Sequence, residues 1–236
     1  MEYQEYQQDY TESAELKKLQ ATFITKVYGW MFLALMITGI IALVAASSEE
    51  YARWILSSRT NFYILLGVEF GLVFLISLAI NRISSLVATL LFLLYAAVNG
   101  VTLGIIFFVY TTGSIATTFF VTAITFGIMS AIGYFTKKDL TGIGRLLMMA
   151  LIGLIIASIA NWIMQSPMLY WIITYVGLFI FIGLVAYDTQ KIKRMAILQI
   201  ENPEAGKKGA IMGALALYLD FINIFLLLLR LLGSRK

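Results

Sequence analysis

Seven apolar stretches of about twenty residues each, separated by short polar joins, leave this chain one kind of solvent to fold in. They lie at residues 27-46, 62-80, 86-109, 115-135, 146-165, 169-187 and 210-232. At a rise of about 1.5 Å per residue, each is long enough to cross the hydrocarbon core as one helix. Joins as short as Asn81 to Ser85, Thr111 to Ser114 and Gln165 to Met168 make sequential spans antiparallel neighbours. Only 13% of residues are charged and 61% are hydrophobic, against about one quarter charged in soluble domains. The fold class is therefore an all-α membrane protein with seven transmembrane helices, its natural partner the lipid bilayer. It divides into an N-terminal tail, residues 1-26, and a transmembrane domain, residues 27-236.

Composition then removes several classes of function. A net charge of +4 could point to nucleic acid, but the basic residues sit in the joins rather than along a reading surface, so no nucleic-acid partner is expected. The chain has no cysteine, which excludes disulfides, thiolate nucleophiles and cysteine-held metals. It has no histidine either. Any response between pH 5 and 8 must then come from carboxyl groups displaced from their ordinary range. No cofactor is expected.

Lysine and arginine orient the bundle. Twelve lie on the side of the N-terminal tail, Arg82, the join after span four and the join after span six, against five on the other side. The positive-inside effect places the N-terminus in the cytoplasm and the C-terminus outside. The first residues, MEYQEYQQDYTESAELKKLQ, are acidic and lack a basic leader, so the first apolar run is expected to be retained as a span. Residues 1 to about 22 read as a solvated, partly irregular tail, with Glu15 to Lys18 starting an interfacial helix.

Against this background the few ionisable residues within the apolar runs carry the functional information. Asp220 lies inside the last run, IMGALALYLDFINIFLLLLRLLG, where an ionised carboxylate is costly. At helical spacing its face reads Gly213, Ala216, Asp220 and Asn223, a small and polar stripe that points into a bundle. Asp188 ends the sixth run, in FIFIGLVAYDTQKIK, and two readings of it stand: a solvated acid opening the next join, or a partner for Asp220. On straight helices the two acids differ in depth by about 10 Å, so contact requires tilt or a deeper sixth span. If they meet, the pair shares one proton and senses pH without histidine. Arg82, at the end of the second run and on the same side, is placed to join them.

Glu69 is a third acid within a span and cannot share the face of Arg82, which stands about 220° around the helix from it. It is either part of a pore entrance or a protonated packing acid. Calcium takes six to eight oxygens, and Asp188 and Asp220 offer at most four, leaving Asn223 or Asn99, backbone carbonyls and water to complete a shell. This supports a cation-attracting site at Asp188 and Asp220, with Glu69, Asn99 and Asn223 as candidate pore-lining residues. Gly100 and Gly104 form a GxxxG that reads as helix packing.

The run LLYAAVNGVTLGIIFFVYTTGSIATTFFVTAITF, Leu93 to Phe126, resembles the signature region of the transmembrane Bax inhibitor motif proteins, and AYDTQKIK with LYLDFINIFLLLLRLLG resembles their last two helices. The likeness extends from Val27 onward and is nearest to the bacterial YccA-like branch. It implies seven helices with the last at the centre of the other six, and a location in the bacterial cytoplasmic (inner) membrane. It also implies a pH-sensitive calcium leak, with calcium and protons as the ions handled. Two aspartates on helices six and seven, here Asp188 and Asp220, would share a proton, and an arginine on helix two, here Arg82, would pair with them in the closed state.

Other functions compete with this one. Intramembrane aspartyl proteases also use two membrane aspartates, but here the second sits in LYLD without the GxGD glycines, and both prolines, Pro167 and Pro203, precede it. An enzyme is therefore not expected. A proton/calcium exchanger would be favoured by inverted repeats, which the chain does not display. A regulator that binds membrane proteases or cell-death factors would use the tail or the join Thr189 to Gly209.

Overall fold

The computed structural model describes residues 2–236, apart from the side chains of residues 2–13 and 201. Its helices are α1 (Glu2–Ser47), α2 (Glu49–Ser57), α3 (Arg59–Ala79), α4 (Ser85–Leu103), α5 (Ile106–Val109), α6 (Thr112–Phe135), α7 (Thr141–Met164), α8 (Pro167–Met195), α9 (Leu198–Glu201) and α10 (Pro203–Leu232). Among the described residues seven helical segments are long and apolar enough to cross a membrane, matching the seven runs. The chain is an all-α, multi-pass membrane protein.

Helix boundaries follow local chemistry. Asn202 caps α10 through its side-chain oxygen, which accepts from Glu204 N and Ala205 N, and Pro203 opens the helix where no amide donor is needed. Ser166 and Pro167 repeat the device at the start of α8, just after Gln165 closes α7 in the left-handed conformation. The connection after the first span is not a bare loop. Glu49 and Glu50 begin the nine-residue α2, too short to cross at about 1.5 Å per residue. The segment expected as an irregular tail enters α1 as continuous helix, its first side chains lying outside the described residues.

The third span is broken. Beyond Gly104 the chain makes a short turn before α5, and the Tyr51 hydroxyl donates to the Val101 carbonyl at 2.6 Å. A side chain from α2 thereby satisfies a carbonyl next to the break, as a helix interruption at membrane depth requires.

α10 lies at the centre and packs chiefly against α8, α1, α6 and α4. Its buried residues run from Gly206 to Leu229 on nearly every face, so little of it meets lipid. α3 and α7 stand at the periphery, the first resting on α4 and the second on α8. Lipid-facing residues such as Leu78 and Met149 are left exposed on these outer helices, as the bilayer permits.

Without a hydrophobic force between helices in lipid, close approach is supplied by glycine. A Cβ on Gly100 would lie 2.7 Å from the Thr38 carbonyl oxygen of α1, and one on Gly104 would lie 3.1 Å from Ala45 Cβ, so the GxxxG is the α1–α4 seam. Gly133 of α6 lies against the backbone of Ala186 in α8 in the same way. Gly133→Ala is expected to cost roughly 1–3 kcal/mol, because the obstructing atom is backbone and cannot swing aside. Gly153→Ala, where a Cβ meets nothing within 4 Å, serves as the control. Thermal melting in detergent measures the difference; equal stability of the two variants would contradict the packing.

Candidate functional site

The register between α8 and α10 decides whether the two aspartates meet. Gly213 rests against Ile192, and Gly177 against Leu227, which sets Asp188 within about one helical turn of Asp220. The depth difference expected on straight helices disappears because neither helix ends where its apolar run does. α8 continues past Asp188 to Met195, and α10 starts at Pro203, before the residue, Gly209, that meets Met195. Asp188 is therefore within a helix and half-buried, not a solvated acid opening a loop.

This register brings the two carboxyl groups close enough for each to act on the charge of the other. Asp220 is only 4% exposed, and its Oδ2 has no donor among the described residues. Two ionised carboxylates cannot hold such an arrangement cheaply, whereas one proton held between them satisfies it. Lys191, one turn beyond Asp188, is exposed and close enough to act on the charge of that acid.

Arg82 is not brought to this pair. It is exposed in the turn after α3, and the two ion pairs among the described residues, Arg53 with Glu49 and Arg194 with Asp139, leave it out. The reason lies in the packing: α3 rests on α4 and α2, outside the helices that carry the aspartates. Its end of the bundle is nevertheless the one where α10 begins, since Glu204 of α10 accepts from Ser85 N at 2.6 Å at the start of α4.

A second polar cluster lies on another face of α10. Asn99 Nδ2 donates to Glu69 Oε2 at 3.2 Å, and the Tyr218 hydroxyl donates to Asn99 Oδ1 at 3.0 Å. Thr38 Oγ1 lies 2.7 Å from the same hydroxyl and 2.8 Å from the Ala96 carbonyl, and shares its one proton between these two acceptors. The chain Glu69–Asn99–Tyr218–Thr38 thus ties α3, α4, α10 and α1, with every member buried and Glu69 Oε1 left without a donor. Glu69 and Asn99 therefore meet each other. Asn223 does not join them, because its amide donates to the Leu219 carbonyl of its own helix at 2.8 Å.

Sequence reasoning singled out neither Tyr218 nor Thr38. Both are lone hydroxyl residues in apolar runs, and Tyr218, two positions from Asp220, points about 200° away from it around the helix. A third group missed is Tyr28, Ser130 and Thr189, whose hydroxyls meet where α1, α6 and α8 touch, beside Asp188.

At the end of the bundle that holds Met195, the join between α6 and α7 is fastened to α8. Gln190 donates to the Lys138 carbonyl and accepts from Leu140 N, and Arg194 meets Asp139 at 2.8 Å. The Thr141 hydroxyl and amide, followed by Arg194, hold the Asp139 carboxyl below its usual range. A group so lowered stabilises the fold above its unfolded value near 4 and loses that contribution as pH falls through the folded value. Asp139→Asn should therefore lower the melting temperature modestly at pH 7, with the gap to wild type closing in acid; a gap independent of pH would contradict this.

Two carboxylates offer at most four oxygens, short of the six to eight that a resident calcium ion takes. Among the described residues no three acids are grouped to hold a metal. In the second cluster, Tyr218→Phe strips a partner from both Asn99 and Thr38, which should cost about 1–3 kcal/mol in a detergent melt. Unchanged stability would show that those bonds do not form.

Comparison with known proteins agrees with this architecture. Residues 20–236 match the family model described as inhibitor of apoptosis-promoting Bax1. The inner membrane protein YbhL of Escherichia coli (strain K12) is 46% identical over 217 residues, covering 91% of this chain and 92% of YbhL. A protein of Borreliella burgdorferi described as uncharacterized is 43% identical, covering 97% and 98% of the two chains. A membrane protein of Streptococcus pyogenes serotype M3 is 34% identical, covering 89% and 92%.

Proposed function

The chain belongs to the family of inhibitors of apoptosis-promoting Bax1, and we propose that it is a pH-sensitive cation leak, with calcium as the ion carried, gated by the Asp188–Asp220 pair. The observation that carries this reading is the meeting of two acids between α8 and the central helix α10, one of them 4% exposed with a donorless oxygen. The name of its relative YbhL supports placing it in a bacterial inner membrane. The lysine and arginine count supports an N-terminus in the cytoplasm.

The gate works by charge. With one proton between them, the two carboxyls attract and hold α8 to α10; with the proton gone they carry two like charges and repel. Loss of the proton therefore loosens the link and creates negative potential that draws a divalent cation. Lys191 offsets part of that potential from the exposed side. Arg82 has no part in this gate, since it stands outside the helices that form it.

Protein reconstituted in liposomes should pass calcium faster as pH rises from acidic to neutral, by about tenfold per pH unit at most for a single proton. Asp220→Asn should flatten that profile, because an amide cannot exchange the proton. Should the variant keep the full pH dependence, the gate lies elsewhere. A proton gradient imposed across the same liposomes should not drive calcium uphill; uphill uptake would identify an exchanger.

A further inference from the structure

On the far side of α10 from Asp188, a cavity of about 300 Å³ separates α1 from α6. Its floor is formed by Phe221, Ile222 and Phe225 of α10, and its walls include Gly39 of α1 and Ala116 of α6. α1 and α6 meet at Tyr28, which touches Ser130 and Phe126, but part toward Gly39 and Ala116, so the cavity opens sideways between them onto the membrane-facing surface, where Leu43 and Phe120 are 53% and 66% exposed. The floor is nevertheless deep, with Phe221, Ile222 and Phe225 no more than 7% exposed.

We propose that this cavity is a lipid site that takes one acyl chain from the surrounding bilayer. Three observations select that occupant. An empty cavity of this size would destabilise the bundle in proportion to its volume. Water needs two to four polar partners, and the one deep polar side chain, Thr38, already has its hydroxyl engaged with Ala96 O and Tyr218 OH. The opening is continuous with the apolar belt that the seven spans present to lipid, so hydrocarbon is what lies at its mouth. The glycine at position 39 keeps the wall open: a Cβ there would meet nothing within 4 Å.

The occupant backs the turn of α10 that carries Asp220. Phe221 and Ile222 follow Asp220 directly, and Thr38 beneath the chain holds Tyr218. A seated acyl chain therefore packs α10 from the side opposite α8, and its length and saturation adjust how firmly that turn is held. This site stands on its own geometry and does not depend on the leak reading.

The test uses the full chain in nanodiscs of phosphatidylcholine bearing a photoactivatable diazirine on one acyl chain, with adducts mapped on peptides after irradiation. Wild type should be labelled at the buried Ile222 and Phe225 as well as at exposed Phe74 and Phe179. Gly39→Phe, which fills the space from α1, should reduce the buried adducts at least fivefold while leaving those at Phe74 and Phe179 unchanged. Ala116→Phe, entering from the other wall at an exposed position, should do the same even if the first variant folds poorly. Labelling confined to the exposed positions in wild type would overturn the proposal, as would buried adducts that neither filling substitution reduces. A second copy of the chain seated in the cavity would exclude the probe and give the first of these overturning results.

Discussion

An interior without water must satisfy every polar group it encloses, and here that demand falls on one helix. α10 is buried on nearly all sides and carries Asp220 toward α8 and Tyr218 toward α1 and α4. Each of these groups would be prohibitively costly alone, and each is tolerated because a neighbouring helix supplies a partner at the right height. The position of α10 is thus determined from two directions. The carboxyl pair holds it to α8, and the Glu69–Asn99–Tyr218–Thr38 chain holds it to α1, α3 and α4.

The two attachments differ in kind. The bonds that α10 itself makes in the second attachment, from Tyr218 to Asn99 and Thr38, join hydroxyl and amide groups that do not titrate between pH 5 and 8. The Asp188–Asp220 link, as proposed, depends on a single proton. Under the proposed function, a rise in pH would loosen α10 toward α8 while the bonds from Tyr218 to α1 and α4 persist. The cavity floored by Phe221, Ile222 and Phe225 lies on the side of α10 that Tyr218 ties to α1 and α4.

Much of this was legible in the sequence. The length of the apolar runs fixed the number of spans, and Gly100 with Gly104 marked a seam that the structure places between α1 and α4. Asp188 and Asp220 stood out because charge is rare in such runs. Their approach was implied by the family resemblance but not legible from spacing, because apolar runs mark where lipid begins and not where helices end: α8 overruns its apolar stretch, and α10 begins before its own. Arg82 misled for a related reason. Sharing an end of the bundle says nothing of which helices are neighbours, and α3 proves to be peripheral. Tyr218 and Thr38 escaped notice since a single hydroxyl in an apolar run has no periodic signature, and their roles exist only across helices distant in sequence.

The central claim is that Asp188 and Asp220 hold one proton in common at acidic pH and release it toward neutrality. Infrared difference spectroscopy of the carboxyl C=O stretch in reconstituted protein reads that proton directly, by subtracting spectra taken at acidic and neutral pH. The account predicts a protonated-carboxyl band in the acidic wild type that is lost on raising the pH and is missing from the difference spectrum of Asp220→Asn. A wild-type difference spectrum indistinguishable from that of the variant would contradict it.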